Sequence, residues 1–292
     1  MSTQLSAVVI GLGFLLTGCA LDRNAGTEPD PSSGSRPSTI TYGFPDDENT
    51  YSNVGAFIVQ DPDDGLIYPI CSGTLIAPTV FLTAAHCTLA YTRELAPLGF
   101  TVAVSFDSPI GWGPLTEPKT RLIPVTRVVT NPAFNQRQSD PGDIGVLIVA
   151  SRDTRGVTPA ALPTLGLLDR LAAQGILQGA VFTAVGYGVQ NRVVGGGVPY
   201  HQDLNPIPRM YAFSSFNSLG PGYLRLSQNP ATGDGGTCFG DSGGPNFLEV
   251  SGTQILVAST VTGDQVCRST NVDYRLDTSS ARAFLGQFVA LP

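Results

Sequence analysis

Two short segments restrict this chain more than anything else in it. One reads Leu82-Thr83-Ala84-Ala85-His86-Cys87 and the other Thr237-Cys238-Phe239-Gly240-Asp241-Ser242-Gly243-Gly244-Pro245. The first ends an apolar run on a histidine with a cysteine beside it. The second sets a serine among glycines, with a cysteine and an aspartate close by. A serine hydroxyl is a weak nucleophile at neutral pH. It needs a base to take its proton, and that base needs a third group to fix its tautomer and stabilise its positive form. Histidine suits the role of base because its pKa lies near operating pH.

The chain has two histidines, His86 and His201. His86 follows a β-like run and adjoins a cysteine that can pin its loop, so it is the candidate base. His201 lies in the polar stretch Pro199-Tyr200-His201-Gln202-Asp203, after Gly195-Gly196-Gly197, and reads as a solvated surface residue. The third group should be a buried acid entering an apolar strand. Pro141-Gly142-Asp143-Ile144-Gly145-Val146-Leu147-Ile148-Val149 supplies one in Asp143. Asp140 competes, but it precedes the Pro141 turn and is expected to be exposed. Gly240-Asp241-Ser242-Gly243-Gly244 also satisfies the nucleophile elbow of α/β-hydrolases. That fold needs a histidine after the serine, and none follows Ser242.

The order His86…Asp143…Ser242 is that of the chymotrypsin/trypsin family of serine endopeptidases. The two opening segments resemble that family's Thr-Ala-Ala-His-Cys and Gly-Asp-Ser-Gly-Gly-Pro. The Asp143 segment resembles its Asn-Asp-Ile run, with Gly142 at the usual Asn and Val146 at a usual Leu. Gly186-Tyr187-Gly188 is a weaker match to Gly-Trp-Gly. The resemblance covers roughly residues 40–290. It implies an all-β fold of two antiparallel six-stranded β-barrels with a C-terminal α-helix. The first barrel would span about 40–155, the second about 156–278 and the helix 279–290. His86 and Asp143 would come from the first barrel and Ser242 from the second. The backbone N–H groups of Gly240 and Ser242 would form the oxyanion hole.

Other assignments rest on the same resemblance. Spacing alone leaves three pairings open for Cys71, Cys87, Cys238 and Cys267; the resemblance implies Cys71–Cys87 and Cys238–Cys267. Each bond should add roughly 3 kcal/mol by the loop-entropy argument. Gly236, Thr262 and Gly263 match the specificity pocket. Gly236 stands where an aspartate would select Arg or Lys, so a basic P1 side chain would lack a counter-charge. Asp234 could reach in only if its loop shifted, and Val272 is placed across the pocket, favouring small or medium apolar P1 residues. Asp241 matches the residue that pairs with a new amino terminus after activation. Ile40-Thr41-Tyr42-Gly43 is the nearest match to that terminus, although no tryptic site abuts Ile40, and an intact active form is the alternative. The complete triad sets an active peptidase above a catalytically silent binding or regulatory protein on the same fold. A hydrolase acting chiefly on esters has no separate feature in its favour.

Composition agrees with this reading. Thirty-four glycines and 23 prolines separate short β-rich runs: 54–59, 72–76, 81–84, 101–106, 122–129, 144–149, 181–185, 254–262 and 272–276. Such spacing suits a barrel or sandwich. Only Ser279-Ser280-Ala281-Arg282-Ala283-Phe284-Leu285 and the residues after it repeat apolar groups at helical spacing, with Thr278 or Ser279 as cap. A net charge of −7 without a basic cluster argues against nucleic acid. Two isolated histidines and paired cysteines lack zinc-ligand spacing. Neither metal nor cofactor is therefore expected. The expected partners are protein or peptide substrates, and the expected state is a monomer.

The first 39 residues stand apart. Ala7 to Leu16 is an uncharged apolar run, too short to span a bilayer, and residues 1–19 read as an export signal. It ends Leu16-Thr17-Gly18-Cys19, which resembles a bacterial lipobox, with Cys19 as the lipidated residue. Ordinary cleavage after Ala20 is the alternative. Residues 20–39 are rich in Asp, Pro, Ser, Thr and Gly and read as a disordered tether. The expected location is the cell envelope as a lipoprotein, or outside the cell.

Overall fold

The computed structural model describes residues 39–111, 119–189 and 206–292. The export signal, Cys19, most of the tether, the glycine triplet and His201 lie outside them. The described residues form two closed six-stranded antiparallel barrels and a short C-terminal helix. The first barrel is built from β2 (Val54–Gln60), β3 (Ile67–Ala77), β4 (Val80–Thr83), β5 (Thr101–Ser105), β6 (Ile123–Thr130) and β7 (Gly145–Val149). They close in the order β2-β3-β4-β7-β6-β5. The second uses β8 (Val181–Gly186), β9 (Met210–Leu219), β10 (Tyr223–Ser227), β11 (Pro245–Val250), β12 (Thr253–Gly263) and β13 (Thr270–Arg275). Its order is β8-β9-β10-β13-β12-β11, closed by β11 on β8. The two-residue β1 (Phe44–Pro45) adds to the outer edge of β9.

All nine expected strands are present, with ends moved by a few residues. Strands β9, β10 and β11 were not expected. Met210-Tyr211-Ala212-Phe213-Ser214-Ser215 mixes serines into the apolar pattern, and β11 begins on Pro245, beside the serine loop. Closure explains why such sequences still pair: a barrel leaves no free edge, so each strand gains two partners.

Each barrel fills its own interior. Phe57, Val59, Phe81, Val104, Leu147 and Val149 pack inside the first. Phe182, Leu224, Leu226, Leu248 and Val257 pack inside the second, against α2 (Leu167–Ala173); the other helix, α1 (Ala85–Ala90), carries His86. A third cluster joins the two barrels. In it Tyr51, Val54, Leu82, Ile144 and Val146 meet Val185, Phe247, Leu256 and Tyr274, with Ala281, Phe284 and Leu285 of the terminal helix. That helix, α3 (Ser279–Leu285), is shorter than the expected 279–290, and Thr278 caps it by accepting the Ala281 N–H at 3.2 Å.

A fully buried arginine reinforces the joint. Arg209 pairs with Asp46 at 2.7 Å and donates to the carbonyls of Val54 and Phe106 at 3.1 Å each and to Tyr187 Oη at 3.2 Å. A buried cation is tolerated only when every N–H has a partner, and this one has acceptors from both halves of the molecule.

Candidate active site

His86 is placed by the end of β4. The chain leaves that strand at Thr83 and turns into α1, with His86 in its first turn. Asp143 sits where the chain enters β7 and is fully buried. Its Oδ1 accepts the backbone N–H of His86 at 2.9 Å, and its Oδ2 lies 2.9 Å from His86 Nδ1. Both carboxylate oxygens are therefore spent on one residue. An acceptor at Nδ1 fixes the proton there and leaves the Nε2 lone pair free to act as a base. The imidazole is 28% exposed, so that nitrogen can reach a reacting group.

Gly142 shows why a glycine replaces the usual Asn before this aspartate. Its φ is +63°, and a Cβ there would sit 2.9 Å from Asn131 Nδ2. Asn131 donates to the Gly142 carbonyl at 2.9 Å and holds the turn from outside. Asp140 does not face His86. It accepts from Tyr274 Oη at 2.8 Å and from Ser280 Oγ, so it ties the first barrel to the terminal helix.

Ser242 approaches from the second barrel. Its carbonyl accepts the Ser72 N–H at 2.9 Å and lies 3.9 Å from Cys87 Sγ. Gly243 makes this approach possible. Its φ is +82°, and any Cβ would overlap Thr83 Oγ1 and come within 2.6 Å of the Ser72 carbonyl. The serine loop thus lies against the segment that carries His86. Cys71–Cys87 and Cys238–Cys267 are both formed. The atoms of Cys71, His86 and Cys87 lie within 4.8 Å of one another, but the disulfide uses both sulfurs, so this cluster is no thiolate cation site.

Gly240 has φ +93°, and its carbonyl accepts from Ser72 Oγ at 3.0 Å. Among the described residues the backbone N–H groups of Gly240 and Ser242 have no acceptor. Between them Asp241 turns inward and is fully buried. Its Oδ1 accepts the Gly188 N–H at 2.8 Å and its Oδ2 the Cys238 N–H at 2.9 Å. Burial pushes the carboxyl up to about 7, against these two hydrogen bonds. A Cβ on Gly186 or Gly188 would overlap the Asp241 side chain, which gives the Gly186-Tyr187-Gly188 run its physical meaning.

The expected pocket residues fall beside this loop. Gly236 donates its N–H to the Thr41 carbonyl at 3.0 Å and is buried. Thr262 and Gly263 end β12, whose Thr260 exchanges backbone hydrogen bonds with Gly243 and Gly244. Asp234 is engaged by its neighbours: its Oδ1 accepts from Ser215 Oγ at 2.6 Å and its Oδ2 from Thr232 Oγ1 at 2.8 Å. Burial would raise its pKa, but hydrogen bonds from Ser215, Ser227 and Thr232 outweigh it and hold the carboxyl below its usual range. Asn271 and Asp273 are fully buried. Val272 between them points to the opposite face, as alternation along a strand requires, so these two polar groups take the inward place. Thr237 Oγ1 donates to Asn271 Oδ1 at 2.6 Å, and Asn246 Nδ2 donates to Asp273 Oδ1 at 2.7 Å. Burial pushes the Asp273 carboxyl well up.

A family model described as Trypsin matches residues 47–283. The chain belongs to the trypsin family. A trypsin from Phaedon cochleariae is 29% identical over 189 residues, covering 63% of this chain and 66%, just under two thirds, of that protein. The family match contains His86, Asp143 and Ser242; Ile40 lies before it.

Proposed function

We propose that this chain is an exported serine endopeptidase working through an acyl-enzyme. The observation that carries the reading is the two-point hold of Asp143 on His86 at 2.9 Å each. It supports the following sequence. His86 Nε2 takes the Ser242 hydroxyl proton as the oxygen attacks the peptide carbonyl. The negative oxygen that forms is met by the free N–H groups of Gly240 and Ser242. The His86 imidazolium then gives its proton to the leaving amine, and the acyl group stays on Ser242. Water, deprotonated by His86, releases it and restores the serine. Donors of the oxyanion kind are worth on the order of 3 kcal/mol of barrier each.

Several finer points belong to the same proposal. Gly236 brings no carboxylate and Asp234 is engaged elsewhere, so the enzyme disfavours Arg and Lys at P1 and prefers small or medium apolar residues. Ile40 is fully buried against Met210 and Ala212, and Thr41 is bridged to Gly236. This supports cleavage before Ile40 as the activating step, with the new ammonium as counter-charge for Asp241. Residues 1–19 act as the export signal and Cys19 as the lipid attachment point. Before the cut at Ile40 the tether holds a monomeric peptidase domain, 40–292, off the envelope, and the cut releases it. No helix among the described residues is long and apolar enough to cross a membrane.

The test is hydrolysis of a peptide library varied at P1, with products identified by mass. Cleavage after small apolar residues, abolished in Ser242→Ala, is expected. No cleavage by the chain cut before Ile40, or a kcat/KM for Arg well above that for Ala or Val, would overturn the reading.

A further inference from the structure

Gln228 follows β10, and its side chain is completely buried. Its amide stands between the two segments that flank Ser242. On one side, a Cβ placed on Gly236 would overlap its Oε1 and lie 2.7 Å from its Cβ. On the other, a Cβ on Gly263 would lie 3.7 Å from its Nε2. Gly236 leads through Thr237 and Cys238 into the serine loop, and Gly263 ends the strand bonded to Gly243 and Gly244. The Gln228 side chain thus takes the space that a side chain on Gly236 would need and comes up to Gly263.

The amide is held there. Nε2 donates to Asp264 Oδ1 at 3.2 Å. Asp264 is itself fixed by the backbone N–H groups of Ser269 at 2.8 Å, Thr270 at 2.9 Å and Arg268 at 3.1 Å. Burial tends to raise its pKa, but these bonds and that from Gln228 outweigh it and keep the carboxyl below its usual range. Gln228 also donates its backbone N–H to Ser269 at 3.0 Å. Among the described residues the Oε1 at the tip has no partner. Buried acceptors are normally satisfied, so folding alone does not account for an amide at this place.

We infer that Gln228 is a specificity-determining residue, a plug that sets the depth of the P1 pocket and limits it to short side chains such as Ala, Ser and Thr. This rests on the peptidase reading above and narrows it. The plug acts by volume, with the carbonyl too deeply covered to meet substrate.

The experiment compares the active wild-type chain with Gln228→Ala and Gln228→Met on substrates bearing Ala or Leu at P1. Gln228→Ala removes the plug, and the Leu-to-Ala ratio of kcat/KM should rise by roughly tenfold or more, the discrimination that a methylene or two commands in an apolar pocket. Gln228→Met keeps the volume without the amide and should leave the ratio near that of wild type. An unchanged ratio in Gln228→Ala, or an equal rise in Gln228→Met, would overturn the inference. A second arm does not need catalysis. In a Ser242→Ala background, indole titrated by NMR should bind the Gln228→Ala protein near Gly236 and Gly263 and leave the parent unaffected. Indole binding in a chain that cleaves nothing would leave the plug standing and sink only the peptidase reading. Absence of indole binding in a folded Gln228→Ala protein would sink the plug.

Discussion

Asp241 gives the uncut chain a stability that falls as pH rises. Its carboxyl is fully buried, and among the described residues no cationic side chain answers it, so burial holds it at about 7 instead of the usual 3.8. The folded state therefore keeps a proton that the unfolded state releases between these values. Stability is full below about pH 4, declines through the interval and has lost this contribution above about pH 7. A gap of about three pKa values, at about 1.36 kcal/mol each, corresponds to about 4 kcal/mol. No discount for solvent screening applies, since the group is fully buried. The comparison is Asp241→Asn, which does not titrate. Asparagine has one oxygen where aspartate offers two, so it leaves either the Gly188 or the Cys238 N–H without an acceptor. That costs about 1–3 kcal/mol at every pH and is a constant offset. The assay is urea unfolding from pH 4 to 8 in a Ser242→Ala background, which prevents self-digestion. The stability of the aspartate protein minus that of the asparagine protein should fall by about 4 kcal/mol across the range. A difference that stays level would refute the claim that Asp241 is buried as a neutral acid.

Three further outcomes follow from the geometry. Asp143→Asn should lower kcat about 10⁴-fold, the effect of the same change in a serine protease of this family, with little change in the unfolding midpoint, because an amide can place the imidazole but not fix its proton. Gly243→Ala should abolish serine labelling and lower stability measurably in thermal melts, since the new Cβ meets the Ser72 carbonyl at 2.6 Å and the φ is +82°. Arg209→Ala should cost about 3–5 kcal/mol in denaturant unfolding, because Asp46 would be left buried without its cation; a loss under about 1 kcal/mol would contradict the role given to that pair.

The sequence makes some of this architecture readable and hides the rest for definable reasons. Strands such as Val54–Gln60 and Thr253–Gly263 are legible because β-branched runs end at turn residues. Strand β9 is not, because Ser214 and Ser215 interrupt its apolar pattern and only closure against β8 and β10 makes it a strand. His86, Asp143 and Ser242 stand out through their neighbours, and the structure sets Asp143 against His86 at 2.9 Å. Gln228, Asn271 and Asp273 are invisible locally. Each is a polar residue in or beside a strand, and which face it takes depends on register and on bulges such as the one between Arg225 and Leu226. Arg209, after Pro206 and Pro208, likewise carries no local sign of burial, because its partner Asp46 is far away in sequence.

The central claim is that Ser242 is an activated nucleophile, and fluorophosphonate labelling of the full chain, cut and uncut before Ile40, tests it most directly. Mass spectrometry should find the adduct on Ser242 of the cut chain. Ser242→Ala should carry no label, and His86→Ala should be labelled far more slowly. A folded, cut chain without an adduct at Ser242, or one labelled equally fast without His86, would contradict the account.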